Sequence, residues 1–75
     1  MKSVYIYLQR GALVKDFVDT ISKLEGKFEL ISDLTVLDAK SILGIYGLDL
    51  SAPILLTMEN DSRDNIETLR PFFIS

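Results

Sequence analysis

The first residues of the chain alternate between two kinds of position. Val4, Ile6 and Leu8 fall on one face of an extended segment, and Tyr5 and Tyr7 fall on the other. This period of two predicts a β-strand, because successive side chains of a strand point to opposite faces. The two tyrosines predict that the second face is also partly covered.

After Gly11 the apolar residues follow the period of a helix, with charged and polar residues between them. Gly26 follows the last of them and is expected to end the helix, because glycine adopts the left-handed conformation without a Cβ clash. The apolar face of this predicted helix consists of Leu13, Val14, Phe17, Val18, Ile21 and Leu24.

Two short apolar segments, residues 27–32 and 34–37, predict a pair of strands that meet near Asp33. The junction lacks the Asn-Gly or Asp-Gly pair that favours a tight two-residue turn, so the pattern leaves the register open. Asp38 is expected to cap a short second helix that begins near Ala39, since a carboxylate accepts hydrogen bonds from the free N–H groups of a first turn.

The rest of the chain predicts one more strand and one more helix. Pro53 precedes the apolar run 54–58, and proline is tolerated at the first residue of a strand. Residues 60–62 have the chemistry of a turn and a helix cap, and Pro71 is expected to end the following helix near Arg70.

The predicted element order is β-α-β-β-α-β-α, within a single domain that spans residues 1–75. This order favours an α+β open-faced sandwich, in which helices cover one face of a four-stranded, mainly antiparallel sheet. Ferredoxin-like and ACT-type domains, which sense small molecules, also have the order β-α-β-β-α-β. The order of the strands within the sheet distinguishes the two folds.

Composition narrows the chemistry that this chain can perform. The 75 residues contain no cysteine and no histidine, so thiol nucleophiles, thiolate zinc sites and imidazole groups are excluded. A net charge of −3 argues against nucleic acid as a partner. No residue spacing predicts a metal or cofactor site. Neither a signal peptide nor an apolar run of ~20 residues is present, so a cytoplasmic protein without a membrane partner is expected.

Residues 40–45 have the sequence Lys-Ser-Ile-Leu-Gly-Ile, and Leu48, Leu50 and the strand after Pro53 follow. This stretch resembles HPr, the histidine-containing phosphocarrier family of the bacterial phosphotransferase system. In that family a Lys-Ser-hydrophobic-hydrophobic-Gly segment opens the second helix. The family pattern fits residues 9–58 without a gap, so the resemblance implies an HPr-like fold.

HPr proteins carry a Gly-Leu-His-x-Arg-Pro-Ala block at the start of the first helix, and its histidine accepts and transfers phosphate. Here Arg10 stands at the histidine position, next to Gly11, and Ala12 stands at the arginine position. A guanidinium stays charged and is not a useful phosphoryl acceptor. The resemblance therefore implies a degenerate member that cannot act as a histidyl phosphocarrier. Arg10 is either part of an anion site at the helix start or a solvated surface cation.

Ser41 corresponds to a serine that HPr kinase/phosphorylase modifies in HPr proteins of low-GC Gram-positive bacteria. The modified protein binds a catabolite-control transcription factor. A phosphate near a helix N-terminus is stabilised by free amides and by the helix dipole, so the resemblance implies a regulatory site at Ser41. The alternative is an ordinary serine in the first turn of a helix.

Leu43, Tyr46 and Gly47, together with Ile42, occupy positions that form the apolar partner-docking patch of HPr, and Lys15 borders the same face. An exposed apolar cluster of this kind marks an interface. The alternative is that Ile42 belongs to the core and that a single exposed leucine needs no explanation.

The segment Phe72, Phe73 and Ile74 either folds back to close the core or forms a homodimer contact. The resemblance implies a non-catalytic protein-binding or regulatory module, with phosphotransferase-system components or HPr kinase as partners. A small-molecule-sensing domain and an assembly module are the alternatives. Enzymatic activity is not expected, because no serine is paired with a recognisable base.

Overall fold

The computed structural model describes residues 1–9 and 11–74. Over these residues the chain forms four β-strands and three α-helices, followed by a short 3₁₀ turn. In chain order the elements are β1 (Lys2–Ile6), α1 (Gly11–Ile21), β2 (Phe28–Ser32), β3 (Thr35–Asp38), α2 (Ile42–Tyr46), β4 (Ile54–Met58), α3 (Arg63–Leu69) and the 3₁₀ turn (Arg70–Phe72).

The strands form one antiparallel sheet in the order β1-β4-β2-β3. Ferredoxin-like folds place their first and third strands side by side at the centre of the sheet. Here β1 and β3 occupy the two edges, so the ferredoxin-like or ACT-type alternative is wrong. The predicted α+β open-faced sandwich is confirmed.

The hydrophobic core lies between one face of the sheet and the helices. The inward residues of neighbouring strands stand opposite one another, as in the pair of Leu30 and Leu56. From α1 the core receives Val14, Phe17 and Ile21, all of which are fully buried. The helical spacing in the sequence identified this face correctly as far as Ile21, because burial of a helix follows its period of 3.6 residues. The helix ends there, before Leu24 and Gly26, so its predicted end was wrong.

The tyrosines of the first strand contradict one expectation. Tyr5 and Tyr7 are both exposed, so the second face of the sheet is open rather than covered. The helices pack on the other face, and tyrosine tolerates water through its hydroxyl group. The Tyr7 hydroxyl donates a hydrogen bond to the carbonyl oxygen of Ser51 at 3.2 Å.

The start of α2 also differs from its prediction. The helix begins at Ile42 and its N-cap is Ser41, not Asp38. The carboxylate of Asp38 accepts a hydrogen bond from the backbone N–H of Lys40 at 2.9 Å instead. A local turn of this kind competes with helix capping for the same aspartate side chain.

The turn between β2 and β3 has two residues, because Ser32 pairs directly with Thr35. Asp33 takes the left-handed conformation that the turn needs, with φ of 53°. Aspartate tolerates this conformation better than most residues other than glycine, so the turn forms without the Asn-Gly pair.

The end of the chain folds back along the free edge of β1. The N–H of Tyr7 donates to the carbonyl oxygen of Phe72 at 3.3 Å, and the N–H of Ile74 donates to that of Tyr5 at 3.0 Å. Phe72 and Phe73 pack against the core, and Ile74 is the most exposed of the three. Closure of the core, one of the two predicted roles of this segment, is confirmed. The homodimer contact stays a prediction.

Candidate docking surface

The first turn of α1 and the end of α2 meet at the surface. The Tyr46 hydroxyl donates a hydrogen bond to the carbonyl oxygen of Gly11 at 3.3 Å. Thus the residues next to the HPr active-site position contact the second helix. Arg10, which stands at that position in the sequence, lies outside the described residues.

Around this contact the side chains of both helices are exposed. Leu43 is 83% exposed and Tyr46 is 50% exposed, although both are large apolar residues. Ala12, Lys15 and Gly47 are exposed as well. Because Lys15 is four residues after Gly11, it lies on the same face of α1. We call Gly11, Ala12, Lys15, Leu43, Tyr46 and Gly47 the docking surface.

Ile42 contributes less to this surface than the resemblance implies. Its side chain is half-buried and packs against the core, next to fully buried Ile45. Only part of Ile42 is therefore available to a partner, in agreement with the alternative that the residue has a structural role.

Ser41 lies at the opposite end of α2 from Tyr46. Its Oγ accepts a hydrogen bond from the backbone N–H of Gly44 at 3.3 Å, so it caps the helix. The side chain is exposed. The ordinary capping role is therefore present, and the hydroxyl group also stands at the surface.

Lys40 has a structural role that the sequence did not reveal. Its Nζ donates to the carbonyl oxygen of Leu24 at 2.7 Å and to that of Gly26 at 3.4 Å. The ammonium also lies 5.6 Å from the centre of the Phe28 ring, within cation–π range. Lys40 therefore connects the chain before α2 to the loop between α1 and β2. The only signal in the sequence is the lysine of the Lys-Ser segment, because the partners are 14–16 residues away.

The loop between α2 and β4 is ordered by short-range hydrogen bonds. The Asp49 carboxylate accepts from the side chain and the backbone N–H of Ser51, and these hydrogen bonds lower the pKa of Asp49. Since Tyr7 also bonds to Ser51, the loop is held against the end of the first strand. The sequence pattern did not identify Tyr7 as a contact for this loop.

A groove of about 430 Å³ lies elsewhere, between β1 and α3. Its lining mixes apolar side chains with both signs of charge, and Arg70 there is paired with Glu67 at 3.0 Å. Among the described residues, those of the docking surface and Ser41 do not line it, whereas Phe73 of the predicted homodimer segment does. Among residues 1–9 and 11–74, no three acidic side chains come together in a way that could hold a metal ion. No helix in the same part of the chain is long and apolar enough to cross a membrane.

Comparison with known proteins connects this structure to phosphocarrier proteins. No protein-family model matches the chain, and no curated protein matches it. Among solved structures, HPr-C-His from Thermoanaerobacter tengcongensis is 29% identical with a TM-score of 0.78. That match covers 95% of this chain and 89% of the other.

Two further solved structures have the same fold. The phosphocarrier protein HPr from Bacillus anthracis str. Ames is 25% identical, with a TM-score of 0.68 over 97% of this chain and 94% of the other. The Mycoplasma histidine-containing phosphocarrier protein is 17% identical, with a TM-score of 0.68 over 93% and 86% of the two chains. This chain therefore has the fold of the HPr phosphocarrier proteins.

Proposed function

We propose that this chain is a degenerate, single-domain HPr-like protein without catalytic activity, which binds other proteins and does not carry phosphate on histidine. The sequence directly supports the claim that the chain does not carry phosphate on histidine, because none of its 75 residues is a histidine. Arg10 occupies the position of the family's phosphorylated residue, and its guanidinium offers no neutral nitrogen to phosphorylate. Phosphotransferase-system components and HPr kinase are the proposed partners, in the cytoplasm.

The observation that carries the binding role is the exposure of Leu43 beside Tyr46. A leucine at 83% exposure on a helix leaves most of its apolar area in water, and covering it in an interface is favourable. Tyr46 adds an aromatic ring of the type that dominates binding energy at protein interfaces. Lys15 places a cation at the edge, where it can select an acidic partner surface.

Replacing Leu43 by aspartate is expected to weaken binding to a phosphotransferase-system partner by roughly tenfold or more, because it places a charge in the centre of the interface. The measurement is a calorimetric titration of the chain with enzyme I and, separately, with a sugar-specific phosphotransferase protein. Leu34→Asp is the matched control, since Leu34 is fully exposed at the turn between β2 and β3. Equal affinities for the two variants would contradict the proposed docking surface.

A second proposed role is regulation through phosphorylation of Ser41. Its support is the exposed hydroxyl at the start of α2, where a phosphate keeps acceptor oxygens near the free backbone N–H groups. Incubation with HPr kinase and ATP is expected to add one phosphate, seen by intact-mass measurement. Incubation with enzyme I and phosphoenolpyruvate is expected to leave the mass unchanged.

The control for Ser41→Ala must separate loss of a phosphorylation site from loss of a helix cap. Ser62→Ala provides it, because the Ser62 Oγ caps α3 by accepting a hydrogen bond from the backbone N–H of Asn65, also at 3.3 Å. Phosphorylation is expected to disappear in Ser41→Ala and to persist in Ser62→Ala. An unmodified native chain would exclude the Ser41 role, and phosphate gained from enzyme I would contradict the non-carrier assignment.

A further inference from the structure

The open face of the sheet carries a continuous row of apolar side chains. Tyr5 stands opposite Leu55, Leu55 stands opposite Ile31, and Ile31 stands opposite Val36. This outer apolar row (Tyr5, Leu55, Ile31 and Val36) crosses all four strands on the face away from the helices. At ~4.8 Å between strands it is ~14 Å long.

The row is accessible to another molecule. Tyr5 is 58% exposed and Val36 is 56% exposed, at the two ends, while Leu55 and Ile31 between them are half-buried. An antiparallel sheet with one solvated face ordinarily alternates apolar-in and polar-out. Four apolar residues side by side on the outer face depart from that pattern, and a contiguous exposed patch is typical of a binding site.

The neighbouring row on the same face is acidic at one end. Glu29 stands directly opposite Asp38, and like charges in this arrangement destabilise a sheet. Compensation is weak, because Lys27 approaches Glu29 only to 3.9 Å and the Lys27 side chain is exposed. The rest of this row is uncharged, since Thr57 and Ser3 complete it.

We propose that this face binds an amphipathic helix of a partner protein, with apolar residues on the outer apolar row and lysine or arginine residues beside Glu29 and Asp38. About ten helical residues, at 1.5 Å each, match the length of the row. Helices of this kind dock through apolar residues at positions i, i+3 or i+4, and i+7. Cations on the flank would relieve the repulsion between the two carboxylates.

A second copy of this chain fits the face less well. The outward residues of the four strands include two acids and no lysine or arginine, and Lys27 beside them already pairs with its own Glu29, so a copy brings more acid than free cation to the acidic pair. The face measures ~14 Å by ~17 Å, so its area is ~240 Å². This area is far below the ~800 Å² per partner of a stable dimer interface. One helix is the occupant of the right size and charge. The docking surface on α1 and α2 lies on the other side of the sheet, so both surfaces can be occupied together.

The test is a titration of the ¹⁵N-labelled chain with two synthetic 14-residue helical peptides. Both carry leucines at the same helical spacing, and their flanking residues are lysines in one peptide and glutamates in the other. Saturable shifts are expected at the amides of Tyr5, Ile31, Val36 and Leu55 with the lysine peptide. The glutamate peptide is expected to bind roughly tenfold more weakly, because its charges face the carboxylates.

Two double variants test the apolar contact and the charge contact separately. The double variant Tyr5→Thr, Val36→Thr keeps residues that suit a strand. It is expected to lower the affinity for the lysine peptide roughly tenfold. The double variant Glu29→Gln, Asp38→Asn is expected to lower the affinity for the lysine peptide only, and to make that affinity less dependent on salt. Thermal unfolding of each variant confirms that the fold is intact.

Four outcomes would overturn the proposal. They are equal affinities for the two peptides, shifts that do not saturate, shifts at Leu43 and Tyr46 in place of the sheet face, and concentration-dependent shifts of this face without peptide. The last outcome would assign the face to a second copy of the chain. Because these shifts are recorded without a phosphotransferase-system protein, failure here is distinguishable from failure of the proposed function.

Discussion

Replacement of Phe17 by alanine is expected to lower the free energy of unfolding by about 3–5 kcal/mol, which is the usual cost of removing a buried phenylalanine. Phe17 is fully buried on α1. Its ring packs edge-on against Phe72, with 5.2 Å between ring centres and 85° between ring planes. Since Phe72 belongs to the segment that folds back along β1, the substitution also loosens the end of the chain.

The effect is large for a domain of this size. A chain of 75 residues has about 4–11 kcal/mol of total stability, at roughly 0.05–0.15 kcal/mol per residue. Urea denaturation followed by circular dichroism measures the change. Phe17→Leu is the control and is expected to cost about 1–1.5 kcal/mol, because it leaves a smaller cavity. Equal losses for the two variants would contradict the assignment of this cost to the cavity left by the side chain.

Replacement of Gly26 by alanine is expected to cost about 2–4 kcal/mol, from two independent causes. Gly26 has a φ of 115°, a conformation that residues with a Cβ rarely adopt. An added Cβ would also lie 2.8 Å from the Cβ of Asn60. Asn60 cannot move away freely, because its Nδ2 donates a hydrogen bond to the carbonyl oxygen of Glu25 at 2.9 Å.

Gly47→Ala is the matched control for this substitution. Gly47 has an ordinary right-handed φ of −81°, and an added Cβ would make only ordinary van der Waals contact. The free energy of unfolding of the Gly47→Ala variant is expected to change by less than about 1 kcal/mol. Thermal unfolding measures both variants, and Gly26→Ala is expected to melt roughly 10 °C or more below native. Similar melting temperatures for the two glycine variants would contradict the requirement for glycine at position 26.

Much of the local structure follows from the sequence pattern. The strand at residues 54–58 was predicted with the bounds of β4, and Pro71 ends α3 near Arg70 as expected. The buried face of α1 was also predicted, because apolar spacing reports burial directly. The element order predicted the α+β open-faced sandwich, and the resemblance predicted its HPr-like form. Here local preference and tertiary packing favour the same conformation.

The candidate site was predictable only in part. The resemblance placed Leu43 and Tyr46 in an exposed patch, and both side chains are exposed, but it did not indicate the hydrogen bond that joins Tyr46 to Gly11. The sequence pattern placed the cap of α2 at Asp38, although Ser41 performs that role. Both residue types cap helices well, and only the path of the chain after β3 selects between them.

The sequence by itself therefore determined the element order, the apolar faces and the absence of histidine from these 75 residues. Tertiary structure decided three further features: the contact of Lys40 with the loop between α1 and β2, the return of Phe72 and Phe73 along β1, and the outer apolar row. Each of these depends on residues far apart in the chain. Period and propensity describe neighbours in sequence, whereas strand order and register determine which distant side chains meet.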